Sequence, residues 1–197
     1  AAVTPRTKAI ALTHPNNPAG TVFNRDGLEA LARLVVEHDL VLVCDQAFED
    51  HVYDGREFVV PAALPDLWER TITLTSVSKG YGLCGLRVGF IVADTPIMDV
   101  LHGAIDLLGG PSPVGQAGAL AALEDDTILP ERHAVFERRQ RLAVDVLAGI
   151  PGVRVVPPES GIMCWLDVSG LGTGDAVAAH LLREGVMVAT GSHYGAA

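Results

Sequence analysis

Short apolar runs alternate with helical periodicity along the first half of the chain. Runs of strand length occupy residues 8–13, 40–44, 71–75 and 87–93. Apolar side chains recur at helical spacing from residue 28 to about residue 38, and Asn24 is suited to cap that helix. The run at 40–44 is continuously apolar, which is typical of a parallel strand covered on both faces. The order strand, helix, strand predicts an α/β fold with a mostly parallel sheet.

The second half of the chain has a different pattern. Helices are predicted at residues 96–108, 113–123, 130–148 and 174–184, and short strands at 153–156, 163–167 and 186–189. This is the pattern of an α+β unit joined to the sheet by a long helix. We therefore expect residues 1–129 to be part of a large domain. Residues 130–197 are expected to contain the linking helix and part of a smaller C-terminal domain.

The amino-acid composition indicates which classes of partner this chain can bind. The 197 residues carry 14 Lys and Arg against 24 Asp and Glu, a formal net charge of −10, with 49% hydrophobic residues. This balance argues against a nucleic acid or an anionic membrane as partner, although a local pocket can still bind a small anion. The three cysteines are odd in number and far apart, and form no metal-ligand motif. With no visible signal peptide or membrane-length apolar run, we expect a reduced, cytoplasmic protein without a metal.

Residues 76–89 hold the most informative group of side chains. Lys79 follows the predicted strand 71–75, so it lies at a carboxyl-terminal strand end, the edge where α/β sheets bind ligands. A lysine amine, when neutral, forms Schiff bases with carbonyl compounds. Arg87 offers a two-pronged guanidinium to a phosphate, and the intervening glycines let the backbone approach closely. Taken alone, the same residues also suit a solvated surface loop.

Three segments together resemble a known family. Residues 76–89 give Ser-x-Ser-Lys, a glycine-rich loop and an arginine eight residues after the lysine, then glycine. This order is similar to the lysine signature of class I/II aminotransferases, fold-type-I enzymes that use pyridoxal 5′-phosphate (PLP). Residues 16–20 resemble the family's Asn-Pro-x-Gly turn, and residues 44–48 its aspartate motif. Residues 188–195 resemble the small-domain stretch before the family's carboxylate-binding arginine, so the resemblance spans about residues 8–195.

The resemblance implies specific roles for the matching residues. Lys79 would form the Schiff base with PLP and then shuttle a proton at the substrate. Asp45 would pair with the pyridine nitrogen and keep it protonated, although after a strand it is also suited to a turn. Asn17 would donate a hydrogen bond to the phenolic oxygen of PLP. The phosphate would be bound by Ser76 and Arg87, with Ser78 as a weaker candidate.

One position departs from the family's pattern. Phe48 stands where many relatives have a tyrosine that hydrogen-bonds the phenolic oxygen, so we expect it to keep only the packing role. The departure leaves a PLP-dependent lyase, cyclase or oxidase open as alternatives. A non-catalytic remnant of the scaffold is a separate alternative, favoured by the chain being shorter than its relatives. Of the seven histidines, only His14 is expected near the site.

The resemblance also implies partners. The substrates would be an amino acid and a 2-oxo acid, and the assembly a homodimer. Relatives are longer, and their glycine-rich phosphate loop, ring-stacking aromatic residue and carboxylate-binding arginine have no counterpart in these 197 residues. We therefore expect the isolated chain to be inactive or to need partner chains.

Overall fold

The computed structural model describes residues 3–195, and its central feature is a four-stranded sheet. The strands are β1 (Ala9–Thr13), β2 (Val41–Asp45), β3 (Thr71–Ser76) and β4 (Gly89–Val92), in that spatial order. β1, β2 and β3 are parallel, and β4 runs antiparallel to β3. The predicted α/β fold with a mostly parallel sheet is confirmed.

Helix α1 (Arg25–Glu37) connects β1 to β2 and supplies much of the core. The Asn24 side chain accepts a hydrogen bond from the Gly27 N–H at 2.8 Å, as a helix cap should. Leu28 and Val35 on this helix are completely buried and belong to one cluster with Leu42 of β2. Each such side chain contributes roughly 1.5–3 kcal/mol through burial, which fixes the crossover between the two parallel strands.

The remaining helices follow the sheet, and a second, small sheet lies among them. They are α2 (Thr95–Leu108), α3 (Pro113–Leu123), α4 (Ile128–Ala148) and α5 (Gly174–Arg183). Strands β5 (Arg154–Val155) and β6 (Leu166–Asp167) pair antiparallel and are shorter than predicted. No helix within residues 3–195 is long and apolar enough to cross a membrane.

The predicted strand at residues 186–189 is wrong. This stretch forms no strand and leads into a 3₁₀ helix at Gly191–Tyr194. Its apolar side chains are exposed, with Met187 at 86%. A strand needs a neighbour to pair with, and this stretch makes no ladder with any other part of residues 3–195.

Helix α4 contacts both the central sheet's loops and the small sheet. Near its start, the Arg132 side chain donates to the Gly80 carbonyl at 2.9 Å, and His133 Nδ1 to the Asp50 carbonyl at 3.1 Å. Farther along, the helix packs against β5. The division of the chain after residue 129 stays a prediction, since α4 begins at Ile128 and touches both regions.

Candidate active site

The carboxyl ends of β1, β2 and β3 lie side by side. In the sheet register Thr13 pairs with Asp45, and Asp45 pairs with Leu74. The ladder continues past the strands, because the Gln46 N–H donates to the Leu74 carbonyl at 2.8 Å. The turn after β1, the Asp45 segment and the Lys79 loop therefore leave the sheet at one edge, where α/β proteins bind ligands.

Lys79 points toward the segment that follows Asp45. Its Nζ lies 5.7 Å from the centroid of the Phe48 ring, within the range of a cation–π contact. Phe48 is only 4% exposed, whereas Lys79 is half-buried. The lysine and the aspartate motif, thirty-odd residues apart in sequence, thus meet at the same edge of the sheet.

Asp45 forms a local turn at the end of β2. Its Oδ1 accepts a hydrogen bond from the Ala47 N–H at 3.0 Å. This is the turn geometry expected of an aspartate after a strand. The contact holds the carboxylate in a defined direction.

The two serines lie on the lysine side of this edge. Ser76 ends β3, and its Oγ accepts a hydrogen bond from the Ser78 N–H at 3.3 Å. Both serines are half-buried. The structure therefore places them within the same short turn as Lys79.

Arg87 and Asn17 lie in more exposed positions. Arg87 has a left-handed backbone (φ 55°), and its guanidinium donates to the Cys84 carbonyl at 3.0 Å. Its guanidinium is thus engaged with the loop that precedes it. Asn17 is exposed in the turn after β1.

Two carboxylates that the sequence did not single out lie beside the lysine loop. Glu49 accepts hydrogen bonds from the Thr75 hydroxyl and from Gln46 Nε2. The Asp50 carboxylate packs directly on Gly80, and a Cβ built there would lie 1.9 Å from Asp50 Oδ2. Burial raises the pKa of both carboxyl groups above their ordinary values. Asp50 therefore lies against the residue that follows Lys79.

The histidine expected near the site has a packing role. His14 is completely buried, its Nε2 lies 3.2 Å from the Val59 carbonyl and its ring stacks on Phe58 at 4.9 Å. The Phe23 N–H donates to its Nδ1, so both ring nitrogens are hydrogen-bonded to backbone groups. Burial lowers the pKa of His14. Its backbone N–H donates to the Asp45 carbonyl at 2.9 Å, so it is near the site without facing it.

The expectation that His14 alone lies near the site is wrong. His51 is 1% exposed, and its Nε2 lies 3.3 Å from the Lys79 carbonyl oxygen. Nothing in the sequence marks this residue. Its contact joins segments 28 residues apart, which only the folded chain brings together.

A cavity of about 820 Å³ lies away from Lys79, between β6, α5 and the segment 188–194. Its walls include Trp165, Leu181 and Tyr194, and the Pro18 turn forms one side. Lys79 and Asp45 are not among its lining residues. The cavity is thus next to the site's Asn17 turn and contains none of the residues expected to carry chemistry.

Comparison with known proteins gives one family. The family model described as "Aminotransferase class I and II" matches residues 1–197. The arginine–pyruvate transaminase AruH of Pseudomonas aeruginosa is 38% identical over 201 residues, covering 99% of this chain and 50% of that protein. The aspartate/prephenate aminotransferase of Thermus thermophilus is 31% identical, covering 99% of this chain and 51% of that protein.

Solved structures agree with the sequence relatives. The aromatic aminotransferase from Pyrococcus horikoshii OT3 has a TM-score of 0.90 at 30% identity, covering 99% of this chain and 54% of that chain. The aspartate aminotransferase from Rhizobium meliloti has a TM-score of 0.90 at 29% identity, covering 99% and 53%. The chain spans about half the length of the curated relatives it matches. Because the family model matches all its residues, and because the Lys79 and Asp45 segments meet at one edge of the sheet, the chain belongs to the aminotransferase class I and II family.

Proposed function

We propose that this chain provides the catalytic lysine of a PLP-dependent aminotransferase that moves an amino group between an amino acid and a 2-oxo acid. The observation that carries the proposal is the approach of the Lys79 amine to Phe48, three residues past Asp45, at the carboxyl edge of the sheet. Family membership supports the same chemistry, since class I and II aminotransferases depend on PLP. The relatives described above are all named aminotransferases or transaminases, which favours amino-group transfer over lyase, cyclase or oxidase chemistry.

The residues at this edge fit PLP by the chemistry of their donor and acceptor groups. Lys79 offers an amine for the aldehyde, and Asp45 a carboxylate for the protonated ring nitrogen. The Asn17 amide suits the phenolic oxygen, and the hydroxyls of Ser76 and Ser78 suit the phosphate. Arg87 would join them by exchanging its bond to the Cys84 carbonyl for one to phosphate.

Each of these side chains has a task that follows from its position. Bound PLP supplies an electron-poor ring that stabilises negative charge developing at the substrate Cα. Lys79 Nζ, on a flexible four-carbon stem, would take up the proton from that Cα, hold it, and donate it to the carbon that gains a proton in the transfer. Asp45 is oriented beforehand by the Ala47 N–H, so its carboxylate needs no rearrangement. Phe48 is buried beside the amine and excludes water from that side.

Reductive trapping tests the proposal directly. The chain contains two lysines, Lys8 and Lys79, so a pyridoxyl group fixed by borohydride can be assigned by peptide mass spectrometry. We expect the adduct on Lys79 in the wild type and in Lys8→Ala, and its loss in Lys79→Ala. Equal labelling of both lysines, or labelling of Lys8 alone, would show that the folded site does not select Lys79.

We also propose that the protein is a cytoplasmic homodimer. The family resemblance supports the homodimer, and so does the apolar surface of α2 and α3, where Val100, Leu107 and Val114 are exposed. The free thiols of Cys44, Cys84 and Cys164 support a reducing compartment such as the cytoplasm. Light scattering on the protein that contains this chain should give twice its monomer mass. A monomer at micromolar concentration would contradict the dimer.

A further inference from the structure

His51 is a buried side chain that faces the backbone of Lys79. A carbonyl oxygen only accepts hydrogen bonds, so Nε2 of His51 must carry the proton in its 3.3 Å contact with the Lys79 oxygen. Within residues 3–195, Nδ1 has no hydrogen-bond partner. The ring therefore serves as a donor to the lysine loop through Nε2.

The surroundings of His51 favour the neutral ring. Burial is the main cause that lowers its pKa. The hydrogen bond to the Lys79 carbonyl acts in the opposite direction, and His133 and Arg132 nearby lower the pKa further. The ring packs on Phe136 at 4.8 Å, and the Arg132 guanidinium also lies over that ring at 5.5 Å. The Phe136 ring therefore packs against both His51 and Arg132, the two side chains that contact the lysine loop.

Two side chains from outside the lysine loop form hydrogen bonds to two consecutive carbonyl oxygens of the loop. His51 binds the oxygen of Lys79, and Arg132 binds the oxygen of Gly80 at 2.9 Å. Within the loop, the Lys79 oxygen also accepts the Gly82 N–H at 3.2 Å. The internal bond gives the loop its turn, and the two side chains fix that turn against the rest of the fold.

His51 also links the loop to the segment that leads into the small sheet. Its own backbone carbonyl accepts the Gly161 N–H at 2.8 Å, and the adjacent Val52 forms a β-bridge with Ser160. A single residue therefore contacts the Lys79 peptide with its side chain and the 160–161 segment with its backbone.

We propose that His51 is a positioning residue for Lys79, whose Nε2–H holds the lysine peptide so that the amine is directed along Phe48 toward Asp45. The inference rests on the proposed function, because it concerns the same lysine. It adds a residue that belongs to none of the motif segments. Without this contact the Lys79 carbonyl is held, within residues 3–195, only by the Gly82 N–H of the loop, and of the two side chains Arg132 alone fixes the loop against the rest of the fold. The turn can then shift, which moves the base of the Lys79 side chain and the position of Nζ.

The test compares substitutions that separate donation from packing. His51→Phe keeps a ring against Phe136 but has no donor, and His51→Gln restores an amide N–H near the position of Nε2. The control is Tyr53→Phe, which removes a buried hydroxyl that donates to the Gly161 carbonyl and not to Lys79. If His51→Phe does not fold, His51→Asn replaces it, because its shorter amide does not reach the Lys79 carbonyl.

Two measurements are made on each variant. The first is the PLP concentration that gives half-maximal borohydride-trapped adduct on Lys79. The second is amide hydrogen exchange at residues 80–83 without PLP. We expect His51→Phe to raise the half-maximal concentration about three- to tenfold, as for one lost neutral hydrogen bond, and to speed exchange at Gly82. His51→Gln should return both to within about twofold of wild type, and Tyr53→Phe should change neither.

The outcomes distinguish the two proposals. If wild type forms no adduct on Lys79, the proposed function fails, while the exchange measurement still tests the positioning role. If wild type forms the adduct and His51→Phe matches it in both measurements, the positioning role is refuted. Equal changes in His51→Phe and Tyr53→Phe would also refute it, since they would indicate general loosening.

Discussion

Gly80 provides a sharp test of how tightly the lysine loop is packed. An alanine Cβ there would lie 1.9 Å from Asp50 Oδ2 and 2.9 Å from Asp50 Cβ. Rotating the carboxylate relieves the first clash but not the second, because Cβ does not move with that torsion. The backbone of the Asp50 segment or of the lysine loop must therefore shift.

The size of the effect follows from these distances. Forcing extra atoms into a filled space costs about 1–3 kcal/mol, and a protein of this size loses about 2–4 °C of melting temperature per kcal/mol. Gly85→Ala is the matched control in the same loop, since a Cβ there meets nothing within 4 Å and its φ is not in the left-handed region. That change should be neutral or stabilise by up to about 1 kcal/mol, because alanine restricts the unfolded chain.

The assay is urea unfolding followed by circular dichroism, combined with the trapping of PLP on Lys79. We expect Gly80→Ala to lower both the free energy of unfolding and the yield of adduct, and Gly85→Ala to lower neither. Equal stability of the two variants would refute the packing of Asp50 on Gly80 as described. A fall in stability with full adduct formation would show that this packing does not affect the lysine.

Three further predictions follow. In the PLP-loaded protein, Phe48→Tyr adds a hydroxyl near Lys79 that can donate a hydrogen bond to the phenolic oxygen of PLP. The change should lower the pKa at which the cofactor's visible absorbance changes, as measured by a spectrophotometric pH titration. His14→Gln should flatten the loss of stability on acidification. The unfolded chain protonates this histidine below about pH 6.5 while the folded chain resists, so stability falls as pH decreases, by up to about 1.4 kcal/mol per pH unit for each such group. Gln140→Leu removes buried hydrogen bonds to the carbonyls of Gly161 and Met163 and should cost about 1–3 kcal/mol in urea unfolding.

Each of these predictions has an outcome that contradicts it. An unchanged or rising pKa in Phe48→Tyr would contradict the first, and Phe90→Tyr, at an exposed position of β4, serves as a hydroxyl added elsewhere. For the second, an acid slope in His14→Gln equal to that of wild type would contradict it. For the third, exposed Arg138→Leu on the same helix should change stability by less than 0.5 kcal/mol, as is usual at the surface. A Gln140→Leu variant as stable as wild type would contradict the buried hydrogen bonds.

The central elements were predictable because their signals are local. The continuous apolar run before Asp45 indicates a strand buried on both faces, and it forms β2 in the middle of the parallel strands. Asn24 caps α1 as expected. Asp45 ends β2 and Lys79 lies three residues past the end of β3. Because parallel strands end at one edge, the proximity of the two residues also follows from the sequence pattern.

The tertiary structure alone decided which side chains meet across that edge. His51 and Asp50 have no periodicity or motif that marks them, yet one binds the Lys79 carbonyl and the other fills the space beside Gly80. The stretch at 186–189 shows the reverse case, since its apolar pattern predicts a strand that has no partner within residues 3–195. Periodicity records how each segment is buried, whereas hydrogen bonds and close packing between distant segments depend on the path of the whole chain.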